Sequence, residues 1–526
     1  METAGPATWT SSSLLRLLGF YVLYRLSRAL YNISPLHPLS HVPGPKLAAA
    51  TFLYEAWFDL IQGGRYTREI QRMHEIYGSP VVRINPEELH FNDIAFVDEI
   101  YAGGGRKRNK QVHFLNFTAG PITSSMFATI DHDHHRIRRS PVNKFFSRAQ
   151  IMKLEPDIKE LVDKLCEKII RLGLRDNAPL DITTAYSCFT ADVISKYCFG
   201  DPFGFVAQEG WTPNFREPLN AVLAATFPFR FFPPLRILAD IAPLFAKWAR
   251  RDVNIMLVES SEKMPARIQA ARQDYQTTTG CSTSTTGSGS IFRDILRSSL
   301  PEAEKTDRRL GGEGFSMISA GTETTAWTLT VTSFHLLSQP ETLSKLTREL
   351  QDADASQLSW VGLEKLPYLS AVILEGLRLS YGVTARIPRI APNERLLYRG
   401  EFHGRSIEYV IPPGTPMGMS NAINHHNEAV FPDSHTFRPE RWLGIDDAQR
   451  RRMENCLTSF SKGSRQCLGM NLAYCNLFLA LTAMTLRVFP RMRLYETTVV
   501  DVRYDRDAFV PLPKKGSQGV RVVIVS

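Results

Sequence analysis

One long helical segment most constrains the fold of this chain. The pattern of apolar residues predicts a helix from about Arg309 to Ser338, which ends before Pro340. At roughly 1.5 Å per residue such a helix is about 45 Å long, enough to cross a whole domain. The stretch from Ser319 to Thr325 at its centre combines a glycine with β-branched residues, which are poor helix formers. A requirement other than helix propensity therefore selects these central residues.

Patterns elsewhere in the chain predict a mainly α protein with a small β subdomain. From residue 151 onward, apolar residues recur at steps of three and four, as in amphipathic helices. Short runs of β-branched and aromatic residues at 81–84, 408–411 and 520–525 predict strands near both ends of the chain. Because 43% of the 526 residues are apolar and 22% are charged, the chain can form a large core, which excludes wholesale disorder.

Residues 1–35 are predicted to form an N-terminal membrane anchor. Only eight uncharged residues separate Arg16 from Arg25, fewer than the roughly 20 that a clean span needs. A span from Pro6 to Tyr24 contains one charge and is followed by arginines, as the positive-inside rule requires. A helix lying in the membrane interface is the alternative. We expect the remainder of the chain to face the cytosol, at the endoplasmic reticulum membrane.

The rest of the chain is predicted to be one large domain behind a short connection. Prolines make residues 36–46 a stiff, extended hinge. The domain itself comprises residues 47–526. Within it, the segment 273–290 is rich in Thr, Ser and Gly, and this composition predicts a flexible surface loop.

Charge and cysteine content exclude several classes of protein. The net charge of +9 suits an acidic protein partner or an anionic membrane surface. The densest basic runs lack interleaved aromatic residues, so nucleic acid is not an expected partner. The seven cysteines form no CxxC pair, which argues against a disulfide framework or a structural zinc ribbon.

The most specific motif is the segment Phe460–Gly469, with sequence FSKGSRQCLG. A single cysteine is usually an inert buried residue. Here glycines on both sides of Cys467 permit a tight turn and a close approach to a flat ligand, and Arg465 can meet an anion. A helical pattern resumes at Met470, so the thiol lies just before a helix N-terminus, which favours the thiolate.

This segment resembles the haem-binding signature of the cytochrome P450 family, Phe-x-x-Gly-x-Arg-x-Cys-x-Gly. The matching residues are Phe460, Gly463, Arg465, Cys467 and Gly469. The resemblance implies the cytochrome P450 fold with haem b, in which Cys467 ligates the iron, Arg465 pairs with a propionate and Phe460 shields the sulfur. Dioxygen is the implied cosubstrate.

A second motif concerns Glu375 and Arg378, three residues apart on a predicted helix. Such a pair is usually a surface ion pair, but apolar neighbours here predict that it is at least partly buried. The motif is similar to the family's Glu-x-x-Arg motif. The resemblance implies a structural triad with Arg441, which supports the haem-side core and does not contact substrate.

The centre of the long helix resembles the family's oxygen-binding segment. By this resemblance Gly321 leaves room for dioxygen, Thr324 offers it a hydroxyl group, and Glu323 relays protons. This order suits O–O cleavage, which needs protons on the distal oxygen. The alternative is a patch of small residues against which another helix packs.

Further haem contacts are predicted outside the cysteine motif. Arg139 aligns with the arginine of the family's Trp-x-x-x-Arg pattern, which puts His135 where tryptophan is usual and makes it a candidate propionate donor. Arg386 matches the family's basic residue after the Glu-x-x-Arg helix. The histidine-rich run 132–135 has no HExxH pattern, so a zinc site is not expected.

The family resemblance also places an apolar substrate pocket, although any of its aromatic residues can be ordinary core residues. Its predicted members are Phe114, Phe117, Phe127, Met317, Val383, Ile387 and Phe509, with Phe227 and Phe229 as further candidates.

The resemblance implies a haem-thiolate monooxygenase of the fungal microsomal type, acting on a hydrophobic molecule such as a terpenoid, polyketide or alkaloid. The sequence has no GxGxxG motif after a strand and no segment left for a flavin domain. Electrons are therefore expected from a separate NADPH–cytochrome P450 reductase, with cytochrome b5 as an optional second partner. The alternatives are a reductase-independent isomerase or dehydratase and a non-catalytic haem sensor.

Overall fold

The fold was analysed in a computed structural model, which describes residues 11–176, 178–242, 262–278, 291–402 and 404–525. The main helices are α1 (Ser11–Ile33), α2 (Tyr66–Tyr77), α3 (His132–Asn143), α4 (Arg148–Asp176), α5 (Ile182–Phe199), α6 (Arg216–Ala224), α7 (Thr226–Phe231), α8 (Arg236–Ile241), α9 (Met264–Thr278), α10 (Ile291–Arg297), α11 (Asp307–Ser338), α12 (Pro340–Asp352), α13 (Pro367–Ser380), α14 (Asp447–Cys456) and α15 (Met470–Ala483). Shorter helical turns lie between them.

Short strands form small sheets around this helical body. The strands are β1 (Val81–Arg83), β2 (Leu89–Phe91), β3 (Asn109–Lys110), β4 (Leu180–Asp181), β5 (Arg389–Ile390), β6 (Leu396–Phe402), β7 (Arg405–Ile411), β8 (Pro416–Gly418), β9 (Met492–Leu494), β10 (Arg506–Ala508), β11 (Val510–Leu512) and β12 (Arg521–Ile524). The largest sheet has the order β1-β2-β8-β5-β3, a second has β4-β12-β9, and β6–β7 and β10–β11 are hairpins. The predicted mainly α architecture with a small β portion is confirmed, and the three predicted strands correspond to β1, β7 and β12.

The predicted long helix is α11, the central element of the core. It packs against α5, α13 and α15. The hydroxyls of its threonines donate to carbonyls one turn earlier, as from Thr322 to Ile318 (2.8 Å) and from Thr328 to Thr324 (3.1 Å). Because these hydroxyls are satisfied within the helix, the polar residues can be buried there without a large cost. Tertiary packing therefore overrides the low helix propensity of this stretch.

Glu375 and Arg378, on α13, form a buried ion cluster with Arg441. Arg378 Nη2 lies 2.7 Å and Arg441 Nε lies 3.0 Å from Glu375 Oε1. Trp442 Nε1 donates to the other carboxylate oxygen at 2.9 Å, and Arg378 also donates to backbone carbonyls. The side chains of Glu375 and Arg378 are fully buried. The structure thus brings together the three residues of the predicted triad, and none of them lines the main cavity described below.

Removing the carboxylate of this cluster should destabilise the fold strongly. We expect Glu375→Ala to lower the free energy of unfolding by about 3–5 kcal/mol, because two guanidinium groups are left buried without their anion. Glu408→Ala is the control, since Glu408 pairs with Arg399 at 2.8 Å on the exposed β6–β7 hairpin and should cost at most about 0.5 kcal/mol. Urea denaturation followed by tryptophan fluorescence measures both, and equal losses would contradict the structural role of Glu375.

Apolar side chains of α1 are largely exposed. The exposed fraction is 69% for Leu15, 71% for Phe20 and 66% for Leu30. Within the described residues, one helix is long and apolar enough to cross a membrane, Met470–Arg491, and it is mostly buried in the core. The anchor at residues 1–35 therefore stays a prediction, and its first ten residues lie outside the described part of the chain.

The predicted hinge, residues 36–46, packs against the domain. Leu39 and Val42 are buried in the apolar cluster of the largest sheet. The backbone N–H of Arg83 donates to the carbonyl of Pro43 at 2.8 Å, and the Arg83 side chain donates to the carbonyl of Asn32, in α1, at 2.8 Å. The connection between α1 and the domain is therefore held by specific contacts.

The prediction of a flexible loop at 273–290 is wrong for its first six residues. Residues 273–278 are the C-terminal end of α9. The polar composition suggested a loop, but glutamine is a good helix former, so the helix continues through this stretch. The remainder of the predicted loop, 279–290, lies outside the described residues.

Candidate active site

The cysteine motif folds as a tight turn before α15. Gly463 adopts a φ of +69°, and a Cβ atom there would lie 2.0 Å from the carbonyl oxygen of Tyr101, so only glycine fits. The backbone N–H of Cys467 donates to the carbonyl of Phe460 at 2.9 Å. Because α15 begins at Met470, the turn holds the Cys467 thiol at a helix N-terminus, facing a cavity.

The environment of this thiol differs from that of the other cysteines. Of the six cysteines within the described residues, five are buried in the core, and Cys467 is accessible from the cavity. Because the thiol faces an enclosed cavity, desolvation by the surrounding protein raises the pKa of Cys467, while the backbone N–H of Gly469 and the charge of Arg139 lower it. A thiolate is therefore favoured when a further positive centre, such as a metal ion, lies against the sulfur.

The cavity in front of Cys467 has a volume of about 720 Å³ and is bounded on the opposite side by α11. Seven of the predicted pocket residues line it: Phe117, Phe127, Phe229, Met317, Val383, Ile387 and Phe509. Phe114 instead lies behind them, with its ring 5.4 Å from that of Phe117. Phe227 lines a neighbouring cavity. The side chains that enclose the space are thus mainly apolar and aromatic.

Gly321, Glu323 and Thr324 of α11 all line this cavity. A Cβ atom at Gly321 would lie 2.9 Å from Ile194 of α5. This close approach of two helices accounts for the glycine, which is the helix-packing alternative considered for this segment. At Thr324 the hydroxyl donates to the carbonyl of Ala320 at 2.8 Å and can still accept hydrogen bonds.

Glu323 is a buried carboxylate with a cationic partner. Its side chain is 10% exposed, and Oε1 accepts a hydrogen bond from Arg216 Nε at 3.3 Å. Burial raises the pKa of the Glu323 carboxyl, and the neighbouring guanidinium of Arg216 opposes this effect. A buried acid with opposed influences on its pKa, next to a threonine hydroxyl, can hold and transfer a proton.

Four cations surround the rim of the cavity near Cys467: Lys110, Arg139, Arg389 and Arg465. Their hydrogen-bond acceptors are mainly backbone carbonyls, and no carboxylate within the described residues pairs with any of them. Burial lowers the pKa of Arg389 to about 10 and that of Arg465 to about 9, and it lowers the pKa of Lys110 strongly. Three of these cations, Lys110, Arg389 and Arg465, are buried, and buried cations without anions are costly, so this rim suits an anionic ligand.

The remaining predicted haem contacts have different positions. His135 lines the cavity, and burial together with the charge of Arg465 lowers its pKa to about 2, so it is a neutral hydrogen-bonding group. Arg386 does not line the cavity; it pairs with Glu55 and Glu88 in a separate buried cluster. The assignment of Arg386 to the haem site is therefore wrong, since two carboxylates already compensate its charge, and Arg389 occupies the rim instead.

These features fit haem b. An apolar space between an accessible thiol and α11 suits a flat macrocycle, the thiol suits its iron, and the cations suit two propionate groups. A family model described as "Cytochrome P450" matches residues 53–516 of the chain. The chain belongs to the cytochrome P450 family. Its haem-thiolate iron and its use of dioxygen follow from this membership.

Curated P450 relatives resemble this chain over most of their length. The cytochrome P450 monooxygenase ppzE of Metarhizium majus is 41% identical over 468 residues, which are 85% of this chain and 95% of that protein. The conidiogenone synthase PchP450 of Penicillium rubens is 38% identical over 97% of this chain and 99% of its own. The tryptophan 6-hydroxylase fscE of Fusarium equiseti is 38% identical over 93% of this chain and 92% of its own. This P450 is therefore a monooxygenase, an oxidoreductase of the kind found in fungal secondary metabolism.

Three residues of the P450 site escaped the sequence reasoning. Lys110 and Arg389 lie outside the family's motifs, and the pairing of β3 with β5 brings them together at the rim. Arg216 lies more than a hundred residues from Glu323 in the chain. A signal was available for Arg389 alone, because it follows Arg386 by three residues and either arginine fits the family's basic position.

Replacing Lys110 should have opposite effects on the haem-free and haem-bound P450. We expect Lys110→Met to raise the free energy of unfolding of the haem-free protein, because a buried unpaired cation is removed, and to lower haem retention several-fold. Lys107→Met is the control, since Lys107 forms an exposed ion pair with Asp133 and should change neither quantity.

Urea denaturation of the haem-free protein and the haem content per chain after gel filtration measure the two effects. If Lys110→Met lowers both the stability and the haem content, Lys110 is a structural residue of the protein alone.

Proposed function

We propose that this P450 inserts one atom of dioxygen into a hydrophobic small molecule of fungal secondary metabolism, with haem b held by Cys467. The observation that carries this proposal is the single cavity that joins the Cys467 thiol to Glu323 and Thr324. When bound, the haem supplies the activation of dioxygen. The protein supplies ligation, charge compensation, protons and a dry enclosure.

Each residue of the site has a defined task in this proposal. Cys467 would ligate the haem iron as a thiolate, and Phe460, which lines the same cavity and whose carbonyl accepts a hydrogen bond from the backbone N–H of Cys467, would limit access of water to the sulfur. The cations Lys110, Arg139, Arg389 and Arg465 compensate the two propionates, and the neutral His135 can donate one hydrogen bond to them. Gly463 permits the tight turn of the cysteine segment against the carbonyl of Tyr101, and Gly469 lines the cavity beside Cys467.

Glu323 and Thr324 are the proposed proton-delivery residues. The Thr324 hydroxyl donates to the carbonyl of Ala320, so its lone pairs are free to accept a hydrogen bond from a water molecule in the cavity. Glu323 is one residue earlier and holds a proton that can be renewed. In the overall reaction one oxygen atom enters the substrate and the other leaves as water, which consumes two electrons and two protons.

The two electrons come from NADPH through a separate reductase, with cytochrome b5 as an optional donor of the second. A reductase-independent rearrangement would not need proton delivery, so the acid-threonine pair favours the monooxygenase. The basic net charge of the chain supports docking of an acidic redox partner.

The cavity supports a mainly apolar substrate. A volume of about 720 Å³ lies within the usual range of small-molecule sites, and aromatic side chains line much of it. Relatives include a conidiogenone synthase and a tryptophan 6-hydroxylase. We therefore infer a terpenoid, polyketide or alkaloid intermediate as the substrate class.

The function is tested by expression with a reductase in a fungal host, followed by metabolite profiling. Cys467→Ala should abolish both the product and the red-shifted Soret band of the reduced CO complex. Thr324→Ala should keep NADPH oxidation but lower product formed per NADPH several-fold. Thr330→Ala is the matched control, because Thr330 makes the same bond within α11, to Ala326, and does not line the cavity. Unchanged coupling in Thr324→Ala would make Thr324 a packing residue.

We propose that α1 anchors this P450 at the endoplasmic reticulum membrane with the domain in the cytosol. The exposed apolar side chains of α1 support this. Deletion of residues 1–35 should move at least part of the protein into the soluble fraction after high-speed centrifugation, with a normal CO spectrum. Full retention in the membrane fraction would point to a second membrane-binding surface.

A further inference from the structure

A second carboxylate lines the main cavity, far from Thr324. Among the described residues that line this cavity, the carboxylates are Glu313 and Glu323, and both belong to α11. Eleven residues separate Glu313 from Thr324, which corresponds to about 16 Å along the helix axis. Because this spacing is close to a whole number of helical turns, both side chains project from the same face of α11. One wall of the cavity therefore carries a carboxylate at one end and the proposed oxygen chemistry at the other.

The protein holds one oxygen of Glu313 and leaves the other available. Oε2 accepts a hydrogen bond from the backbone N–H of Met126 at 2.9 Å and lies 2.6 Å from Arg309 Nη1. Oε1 makes no hydrogen bond within the described residues, and protein atoms do not cover it completely. The side chain as a whole is only 2% exposed. Since a carboxylate oxygen that is removed from water needs a donor, Oε1 is an acceptor with a fixed orientation and no partner from these residues.

Ser316 lies one turn after Glu313 and also lines the main cavity. The threonines of α11 donate their hydroxyl hydrogens to carbonyls one turn earlier, as Thr322 does to Ile318 and Thr332 to Thr328, each at 2.8 Å. Ser316 makes no such bond, although the carbonyl of Gly312 occupies the equivalent position, and its hydroxyl is not completely covered by protein atoms. Its hydroxyl is therefore available to a molecule in the cavity, beside the carboxylate of Glu313.

The charge of Glu313 is already balanced by the protein. Arg309 lies between two carboxylates, with Nη1 2.6 Å from Glu313 and Nε 3.2 Å from Glu304. Arg138 Nε in turn lies 2.7 Å from Glu304. The two carboxylates and two guanidinium groups alternate and together carry no net charge. Such a site favours a neutral hydrogen-bond donor over a cation, because a cation would lose its hydration without a net opposite charge.

We propose that Glu313 and Ser316 form a specificity subsite, which accepts a hydrogen bond from a neutral hydroxyl or N–H group of the substrate about 15 Å from the carbon that is oxidised. The inference deepens the proposed monooxygenase function and rests on it for the position of the oxidised carbon. The substrate is then an elongated, mainly apolar molecule with one polar end. Its polar end binds Glu313, and its apolar end lies beside Thr324.

The test compares probes that differ only in a hydrogen-bond donor. An extended chain advances about 1.2 Å per bond, so dodecanol has nearly the required length. The pairs are dodecanol with dodecyl methyl ether, and N-dodecylacetamide with its N-methyl derivative, so that O–H and N–H donors are tested separately. The blue shift of the Soret band of the haem-loaded protein gives the Kd of each probe. In at least one pair, the wild type should bind the donor about tenfold more tightly than its methylated partner.

The variants should change this preference in a defined order. In Glu313→Gln the amide oxygen can keep the bond from Met126, which turns the NH₂ group, a donor, towards the cavity, so the preference should disappear or reverse. Ser316→Ala should lower the preference about threefold. Glu302→Gln is the control, because Glu302 is 85% exposed and does not line the cavity, and it should keep the preference of the wild type.

The ratio of the two affinities separates recognition from structural support. If Glu313→Gln weakens both members of a pair equally, Glu313 merely supports the segment at Met126 and the inference is overturned. A wild type without a preference, or the same change in Glu302→Gln, would also overturn it.

Turnover tests the proposed monooxygenase function separately. With reductase and NADPH, the preferred probe should be hydroxylated near its terminal methyl group, and oxidation near its polar end would contradict the subsite. If the binding preference depends on Glu313 but no product forms, the monooxygenase proposal fails and the subsite stands.

Discussion

The unpaired positive charge around Cys467 is the constraint on which the rest of the site depends. Four cations lie at one rim with backbone carbonyls as their main partners. Lys110, Arg389 and Arg465 are buried and Arg139 is half-buried, so an anion at this rim would compensate a costly desolvation. The fold and the cofactor are therefore thermodynamically linked: the apoprotein stores electrostatic strain that the haem propionates relieve. One of these cations, Arg139, also lowers the pKa of the Cys467 thiol and so favours the thiolate, which links ligation to charge compensation.

The buried ion clusters around Glu375 and Glu323 differ in how completely their charged groups are paired. This difference distinguishes a structural role from the proposed functional one. Around Glu375, two guanidinium groups share one carboxylate and also donate to backbone carbonyls, and Trp442 donates to the second carboxylate oxygen, so the cluster is closed. Around Glu323, one carboxylate oxygen is paired with Arg216, and the other makes no hydrogen bond to the part of the chain that the structure describes. The two clusters therefore differ in their hydrogen-bond partners rather than in residue type: the cluster at Glu375 is closed, and Glu323 keeps one carboxylate oxygen for the proposed transfer of protons.

Much of this arrangement could be predicted from the sequence, because local motifs report on local geometry. The turn before α15, the long helix α11 and the Glu375 triad each depend on residues close in sequence or on a family pattern. The rim cations could not be predicted in the same way, since Arg386 and Arg389 are both basic and only strand pairing decides which one meets the cavity. The sequence also could not decide whether Gly321 makes room for dioxygen or for another helix, because the residue that it contacts, Ile194, lies far away in the chain on α5.

The fixed connection between α1 and the sheet has a geometric consequence. Because Arg83 ties the end of α1 to β1, and Leu39 and Val42 are buried beside the same sheet, the domain cannot swivel freely about its N-terminal helix. A bilayer that holds α1 would then impose one tilt on the catalytic domain. The entrance of the cavity would then lie at a constant distance from the membrane surface. Hydrophobic substrates dissolved in the bilayer would reach a catalytic domain of fixed orientation.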